Sequence, residues 1–230
     1  MPPEAAPTLS WIVPARQEAG TLALLLADLQ DGLVGEDELI VVDGESRDAT
    51  GTVARLHGAR VVSAPPSRGG QLRHGVSQAR GQRLVFIHAD SRLAGGAELS
   101  RCLRRLPSGQ ARCFRLKVDD PHPCFRVLER LVALRTTLLG LPYGDQGLVL
   151  DRRLYEACGG FRDLPLMEDV DLVLRLRQWG GVRQLPYSIR TSARRWRRHG
   201  LLRTSLLNMI LMLRWLLGEK SETLKRDYYS

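Results

Sequence analysis

Three acidic segments stand where a chain could do chemistry: Asp43 in IVVDGESRDAT, Asp90 in FIHAD, and Glu168-Asp169-Val170-Asp171. A carboxylate just past a strand end can accept hydrogen bonds from a base N–H or a ribose hydroxyl, which is the chemistry expected of Asp43. Ser46 and Asp48 follow at turn spacing and read as organisers of that turn, either one able to cap the next helix. A hard divalent cation bridging two phosphates wants oxygen ligands, and Asp90 offers one. His88, two residues earlier, points to the same side of an extended chain. A lone histidine is more often packed or supporting, so its claim as a direct ligand is the weaker one. The third group opens a helix, where the macrodipole favours acids whatever their role. Beyond capping, Asp169, with Glu168 beside it, can take the proton of an acceptor hydroxyl. The helix N-terminus weakens such a base, which is tolerable when deprotonation accompanies bond formation.

Basic residues complete the set. Arg68 and Arg73, around Gly69-Gly70-Gln71, can reach a pyrophosphate, since guanidinium pairs bidentately with phosphate. Arg194, Arg195 and Arg197 can neutralise a leaving diphosphate or hold a phosphorylated acceptor; the plainer reading of both groups is a solvated basic surface. Other chemistries are disfavoured. The turn Pro14-Ala15-Arg16-Gln17-Glu18-Ala19-Gly20 carries no GxGxxG, and no GxxxxGK[ST] or GxSxG occurs, so neither a dinucleotide fold, a P-loop nor a hydrolase elbow is indicated.

These residues need elements to hold them. Leu9–Val13, Glu38–Asp43, Arg60–Ser63 and Arg83–His88 are short apolar or β-rich runs and read as strands. Leu22, Leu25, Leu26 and Leu29 recur at helical spacing over 18–30, and a second helix should bury Val53 and Leu56. A Gly-rich turn and a helix to about Ala79 come next. Strand–helix alternation with near-continuous apolar strands implies a parallel sheet covered on both faces, with ligands at the carboxyl ends of its strands. Pro14, Asp43 and Asp90 should therefore share one rim. Farther on, 111–118 and 147–150 read as strands. Residues 122–140 read as a helix carrying Phe125, Leu128, Val132 and Leu139, and another helix ends at Gly159-Gly160. The helix from Glu168 to about Gly180 should turn Val170, Val173 and Leu176 inward, and a last helix covers 199–217.

At these residues the chain resembles a family 2 glycosyltransferase of the GT-A fold. Pro14-Ala15-Arg16-Gln17-Glu18 is similar to that family's P-x-x-[NR]-E turn, and Ile40–Thr50 to its IVVDDGSxDxT segment, with Asp43 on the base-binding Asp. Gly75, Ala79 and Gly81 fall on its NxGxxxAxG helix, and His88-Ala89-Asp90 on its DxD motif. Arg152-Arg153-Leu154, Gly159-Gly160-Phe161 and Glu168-Asp169-Val170-Asp171-Leu172 match its RRxLxxxGGF…EDxDL stretch. The chain is similar in detail to a small bacterial subgroup with HAD for DxD, a Gly144-Asp145-Gln146-Gly147 segment and a Thr191–Trp196 segment. The resemblance implies an inverting transfer from a UDP- or GDP-linked sugar to an unidentified hydroxyl acceptor. Pro14, Ala15, Arg16, Glu18, Asp43, Ser46, Arg68, Gln71 and Asp90 would bind the donor. Asp90 and His88 would hold Mg2+ or Mn2+, and Asp169 with Glu168 would be catalytic. Gly144, Asp145, Gln146, Arg195 and Trp196 would meet the acceptor or diphosphate. Gly44 replaces the second Asp of VDDGS, and His88 the first acid of DxD. Arg195-Trp196 only echoes the QxxRW of processive members, with Ser192 at the Gln position, so polymer synthesis is not expected.

The implied architecture is α/β: a mixed, mostly parallel sheet with helices on both faces over residues 1–198, and a C-terminal amphipathic helix and tail over 199–230. Lys and Arg exceed Asp and Glu by 34 to 25, leaving +9, which favours an anionic partner without choosing it. The stretch from Arg203 to Arg214 is too short to span a membrane. It suits an anionic membrane surface, packing on the domain, or a second copy in a homodimer. The start, MPPEAAPTLSW, shows no leader pattern, and four scattered cysteines suggest reduced thiols, together predicting a cytoplasmic protein that can rest on the inner face of the membrane. Two rivals remain. A sugar-phosphate nucleotidyltransferase would want a Gly-rich loop after the first strand. A non-catalytic binder of nucleic acid or membrane would gain nothing from acids on its rim, and no specific nucleic-acid partner is expected.

Overall fold

Unbroken apolar runs end up in the middle of a sheet. In the computed structural model, which describes residues 8–229, Leu9–Ala15 (β1) is buried throughout except for the half-buried Pro14. A strand paired on both edges and covered on both faces has no side to show to water. β1 pairs in parallel with Glu38–Asp43 (β2) on one edge and Arg83–Phe86 (β4) on the other, and β2 pairs in parallel with Arg60–Ser63 (β3). Most of the start read for a leader lies outside the described residues.

Beyond β4 the sheet becomes mixed. Leu148–Asp151 (β7) runs antiparallel to β4 and to Ala111–Asp119 (β6). Val182–Ser192 (β8) is parallel to β6 and carries Ser91–Leu93 (β5) antiparallel on its outer edge. Among the described residues the order is β3-β2-β1-β4-β7-β6-β8-β5. Alternation along the strands sorts side chains to two faces. Trp11, Val13, Val41 and Val85 meet Ala19–Gln30 (α1), Thr50–Leu56 (α2) and Gly96–Arg104 (α4) on one face. Ile12, Ile40, Val42 and Phe86 meet Arg68–Gln78 (α3), Arg152–Ala157 (α6) and Glu168–Leu176 (α7) on the other. Pro123–Leu139 (α5) follows β6, and Arg194–His199 (α8), Leu201–Leu216 (α9) and Ser221–Tyr229 (α10) close the described chain.

Several expectations change. Leu56 is 81 % exposed, and α2 buries Thr50 and Ala54 instead, because a seven-residue helix on the sheet edge presents a narrow inner face. Neither Ser46 nor Asp48 is the N-cap of α2, which is Ala49, although Asp48 accepts from the Thr50 N–H at 3.0 Å. Gly69 and Gly70 lie inside α3 rather than in a turn before it. Leu139 is exposed, while α5 buries Glu129 and Thr136 along with Phe125 and Val132. The strand toward Asp90 stops at Phe86, so His88 and Asp90 sit in a turn where strand alternation no longer applies.

Val170, Val173 and Leu176 are buried as expected. The C-terminal helices reach back to the same region: Leu211 and Leu224 cluster with Leu166, Met167 and Val170. The outward face of α9 keeps Leu202, Leu206, Met209, Ile210 and Leu213 exposed. No helix among the described residues is long and apolar enough to cross a membrane.

Candidate active site

Parallel pairing brings the carboxyl ends of β2, β1 and β4 to one edge. Asp43 is in register with Ala15, and the Ile87 N–H donates to the Ile12 carbonyl at 3.2 Å. The turn after β1 is suspended from the loop after β2. The N–H groups of Gln17, Glu18 and Ala19 donate to Ser46 Oγ (2.9 Å), Thr50 Oγ1 (3.0 Å) and Asp48 Oδ2 (3.3 Å). Asp43 Oδ1 accepts from the Ser46 N–H at 3.3 Å. Gln71 straps the two strand ends together, its amide donating to the carbonyls of Ala15 (3.2 Å) and Val42 (2.7 Å). A Cβ at Gly44 would lie 2.9 Å from that amide, so a larger residue there would displace the Gln71 strap. Ser46 and Gln71 therefore use these polar groups within the framework. Ala15 is buried, and Pro14, Glu18 and Asp43 are half-buried along the rim, with Arg16 exposed.

A second group forms where α3 meets α7. Ser67 caps α3, accepting from the Gly70 N–H at 3.3 Å. A Cβ on Gly69 would collide with the Arg162 carbonyl, so only glycine lets α3 approach the 162–168 loop. That approach brings Arg68 Nη1 to 3.6 Å from Glu168 Oε1. Glu168 is 1 % exposed; burial raises its pKa, Arg68 opposes the rise, and the neighbouring Asp169 adds to it.

Met167, just before α7, has φ +65°, a left-handed conformation costing a non-glycine residue on the order of 1–3 kcal/mol. Burying its side chain among Leu166, Val170, Leu211 and Leu224 contributes a comparable ~1.5–3 kcal/mol. Ser221, the first residue of α10, fixes the adjoining backbone. Its Oγ accepts from the Leu166 N–H (3.0 Å) and donates to the Leu166 carbonyl (2.6 Å). Ser221→Ala leaves both buried groups unpaired, and the expected loss is about 1–3 kcal/mol, read as a lower denaturant midpoint at unchanged slope. An unchanged midpoint would mean that α10 does not support this loop.

The strained turn aims Asp169. Its Oδ2 accepts from the Gly144 N–H and its Oδ1 from the Val170 N–H (2.8 Å). Gly144 lies between Asp169 and His88, since a Cβ there would be 3.0 Å from His88 Nε2 and 3.1 Å from Asp169 Oδ2. His88, Tyr143, Gly144, Glu168 and Asp169 are among the residues lining a cleft whose empty space, part of it open to solvent, is about 410 Å³. Burial, with Arg68 nearby, pushes His88 down to about 3, so its imidazole is neutral at pH 7. Asp90 is raised by burial and by Glu18, against the pull of Arg194 and Arg68. Burial also lifts Asp145 to about 6, with Arg135 opposing and Asp169 and Asp90 adding to the rise. Asp145 Oδ1 is buried without a hydrogen-bond partner. Asp90 and Asp169 thus both bear on Asp145, a concentration of negative charge that suits a hard cation. Among the described residues no three His, Cys, Asp or Glu side chains form a ready-made cage. A cation would take one or two ligands here and the rest from phosphate oxygens, the usual arrangement for magnesium.

Other expected residues are positioned differently. Gln146 is fully buried; its amide donates to the Phe114 carbonyl (3.2 Å) and accepts from Thr136 Oγ1 (3.0 Å), so it braces the fold beneath the turn. Arg195 lies over the Tyr228 ring at 3.6 Å, and Trp196 packs edge-on to Phe125 with centroids 6.0 Å apart. The first contact ties α8 to α10 and the second ties α8 to α5. It is Arg194 that reaches inward, to Glu18 Oε2 at 3.1 Å. Tyr143, with the Arg135 guanidinium 3.6 Å from its ring centre, is a wall of the cleft that no spacing in the sequence singles out.

Comparison with known proteins bears on the family and the fold. The model of the family described as glycosyl transferase family 2 matches residues 10–131. An uncharacterized glycosyltransferase of Mycobacterium tuberculosis is 32 % identical over 188 residues, spanning 70 % of this chain and 84 % of the relative. A mannosyltransferase from Pyrobaculum calidifontis, solved with GDP-Man and Mn2+, superposes with TM-score 0.66 at 18 % identity, over 99 % of this chain and 70 % of its own. Glucosyl-3-phosphoglycerate synthase from Mycobacterium tuberculosis, solved with Mn2+, UDP and glucosyl-3-phosphoglycerate, gives 0.58 at 23 % identity, over 82 % of this chain and 71 % of its own. The sheet order, the helices on both faces and the family match lead to one assignment: the chain belongs to glycosyl transferase family 2 and is a sugar-transferring enzyme of the GT-A fold.

Proposed function

We propose that this enzyme is an inverting transferase that moves a sugar from a UDP- or GDP-linked donor to a hydroxyl acceptor with the help of a divalent metal. The carrying observation is a set of charges close enough to act on one another beside the cleft that Asp169 lines: Asp145 feels Asp90, Asp169 and Arg68, and Asp90 feels Glu18, Arg194 and Arg68. Asp43 and Glu18, on the rim of β2 and β1, hold the nucleoside. Asp90, with neutral His88 at hand, holds Mg2+ or Mn2+, which supplies positive charge against the leaving diphosphate. Arg68, steadied by Glu168, and Arg194, steadied by Glu18, add donors toward the same phosphates. Asp169, its oxygens fixed by two backbone N–H groups, accepts the acceptor's proton as the hydroxyl attacks the anomeric carbon from the side opposite the diphosphate.

The rival chemistries fare worse on particular atoms. A nucleotidyltransferase needs free backbone N–H groups after β1 to cradle a triphosphate, and those of Gln17, Glu18 and Ala19 are engaged by Ser46, Thr50 and Asp48. A phosphate-backbone binder needs its arginines outward, whereas Arg68 and Arg194 turn to acids. The test is a melting-temperature screen with UDP, GDP and other nucleoside diphosphates, with and without Mn2+. A ligand at 100 times its Kd stabilises by about 2.7 kcal/mol, so one nucleotide should give a clear shift that requires the metal. No metal-dependent shift with any of them would overturn the donor assignment.

A further inference from the structure

The cleft beside Asp169 has few polar side chains. His88 and Asp169 meet at Gly144 with Glu168 next in sequence, and the other walls are the buried Leu72, Phe86, Leu148, Phe161 and Val173, with Pro142 and Tyr143. A hexose carries a hydroxyl on most of its carbons and leaves each unpaired against such walls, at a cost of roughly 1–3 kcal/mol per lost partner. A hydrocarbon loses nothing there and gains from leaving water. The Tyr143 hydroxyl donates to Met212 Sδ at 3.2 Å, which fixes this wall of the cleft against α9.

We propose that this cleft is the acceptor subsite and that the acceptor is an alcohol with an apolar body. Its hydroxyl lies at Asp169, and its hydrocarbon lies along Leu72, Phe86, Leu148, Phe161 and Val173. This rests on the transferase reading and names the substrate class that reading leaves open. In the transfer step the acceptor oxygen bonds to the anomeric carbon, the bond from that carbon to the diphosphate oxygen breaks, and the hydroxyl proton passes to Asp169.

The experiment uses the full chain and the UDP- or GDP-sugar selected by its melting shift. One arm offers straight-chain primary alcohols from ethanol to octanol, a parallel arm phenylalkanols, and a third glycerol and simple sugars. Transfer efficiency, kcat/KM, should rise about fourfold per added methylene, the ~0.8 kcal/mol of a buried CH2, until the chain outgrows the cleft. A rise confined to one alcohol arm identifies that body, flexible chain or aromatic ring, as the one the cleft takes. Val173→Thr keeps the volume but puts a hydroxyl in the wall, and should flatten the slope. Leu148→Thr provides the same reading should the first variant not fold. A flat or falling series, preference for glycerol or sugars, or no transfer to any alcohol overturns the proposal while the nucleotide shift stands. Loss of that shift in the unaltered enzyme defeats the transferase reading itself.

Discussion

Asp169→Asn is expected to lower kcat by about 10²- to 10⁴-fold, the usual contribution of a positioned general base, with the metal-dependent nucleotide shift retained. The substitution is close to isosteric: an asparagine oxygen can still accept from the Gly144 N–H, while its NH2 cannot accept from the Val170 N–H, so the melting temperature should fall only by the few degrees that one lost bond of about 1 kcal/mol brings. What it cannot do is take a proton. The donor side proposed at Asp43, Glu18, Asp90 and Arg68 is untouched, so the donor KM should hold while kcat falls. Steady-state kinetics on the purified variant decides it. Near-normal kcat would remove Asp169 as base and leave Glu168 as the acid with the next claim, since burial already raises its proton affinity.

The parts of this protein that were legible in the sequence are those governed by local pattern. The unbroken runs of β1, β2 and β4 and the leucine spacing of α1 each announce an element, and the acids at the end of β2 and just past β4 announce a rim. β8 was not legible: Pro186 and a mix of polar residues interrupt its alternation, and what makes it a strand is pairing with β6 on one side and β5 on the other. The site divides in the same way. Asp90 and Asp169 stand out by motif, yet their setting depends on contacts between distant residues. Arg194 meets Glu18 across 176 positions, and Ser221 holds Leu166 across 55. Gln71 and Gln146 have the residue type of ligand contacts, and only the fold reveals that their amides hold strand ends and a buried turn. The basic cluster near the C-terminus was the most misleading. Equal charges at 194, 195 and 197 go three separate ways, to Glu18, to the Tyr228 ring and to Asp120.

Asp90→Ala should be as damaging as the loss of the base, by a different route. With His88 standing where an acid is usual, Asp90 is the main anionic oxygen available to a cation at this end of the site. A bound metal contributes several kcal/mol of transition-state stabilisation, and each 1.36 kcal/mol is tenfold in rate, so kcat should fall by about 10²- to 10⁴-fold. The fold should not suffer. Asp90 is an acid whose charge burial and Glu18 both disfavour, and deleting it relieves repulsion on Asp145 as well. The variant should therefore melt no lower than the unaltered protein in the absence of ligand. With nucleotide present, Mn2+ should raise the melting temperature of the unaltered protein and not that of the variant. These two readouts separate a lost ligand from a damaged structure, because a misfolded variant would fail the first and a metal-independent enzyme the second. Metal-dependent turnover that survives in Asp90→Ala would transfer the ligand role to Asp145, whose buried Oδ1 has no hydrogen-bond partner and whose charge Asp169 also disfavours.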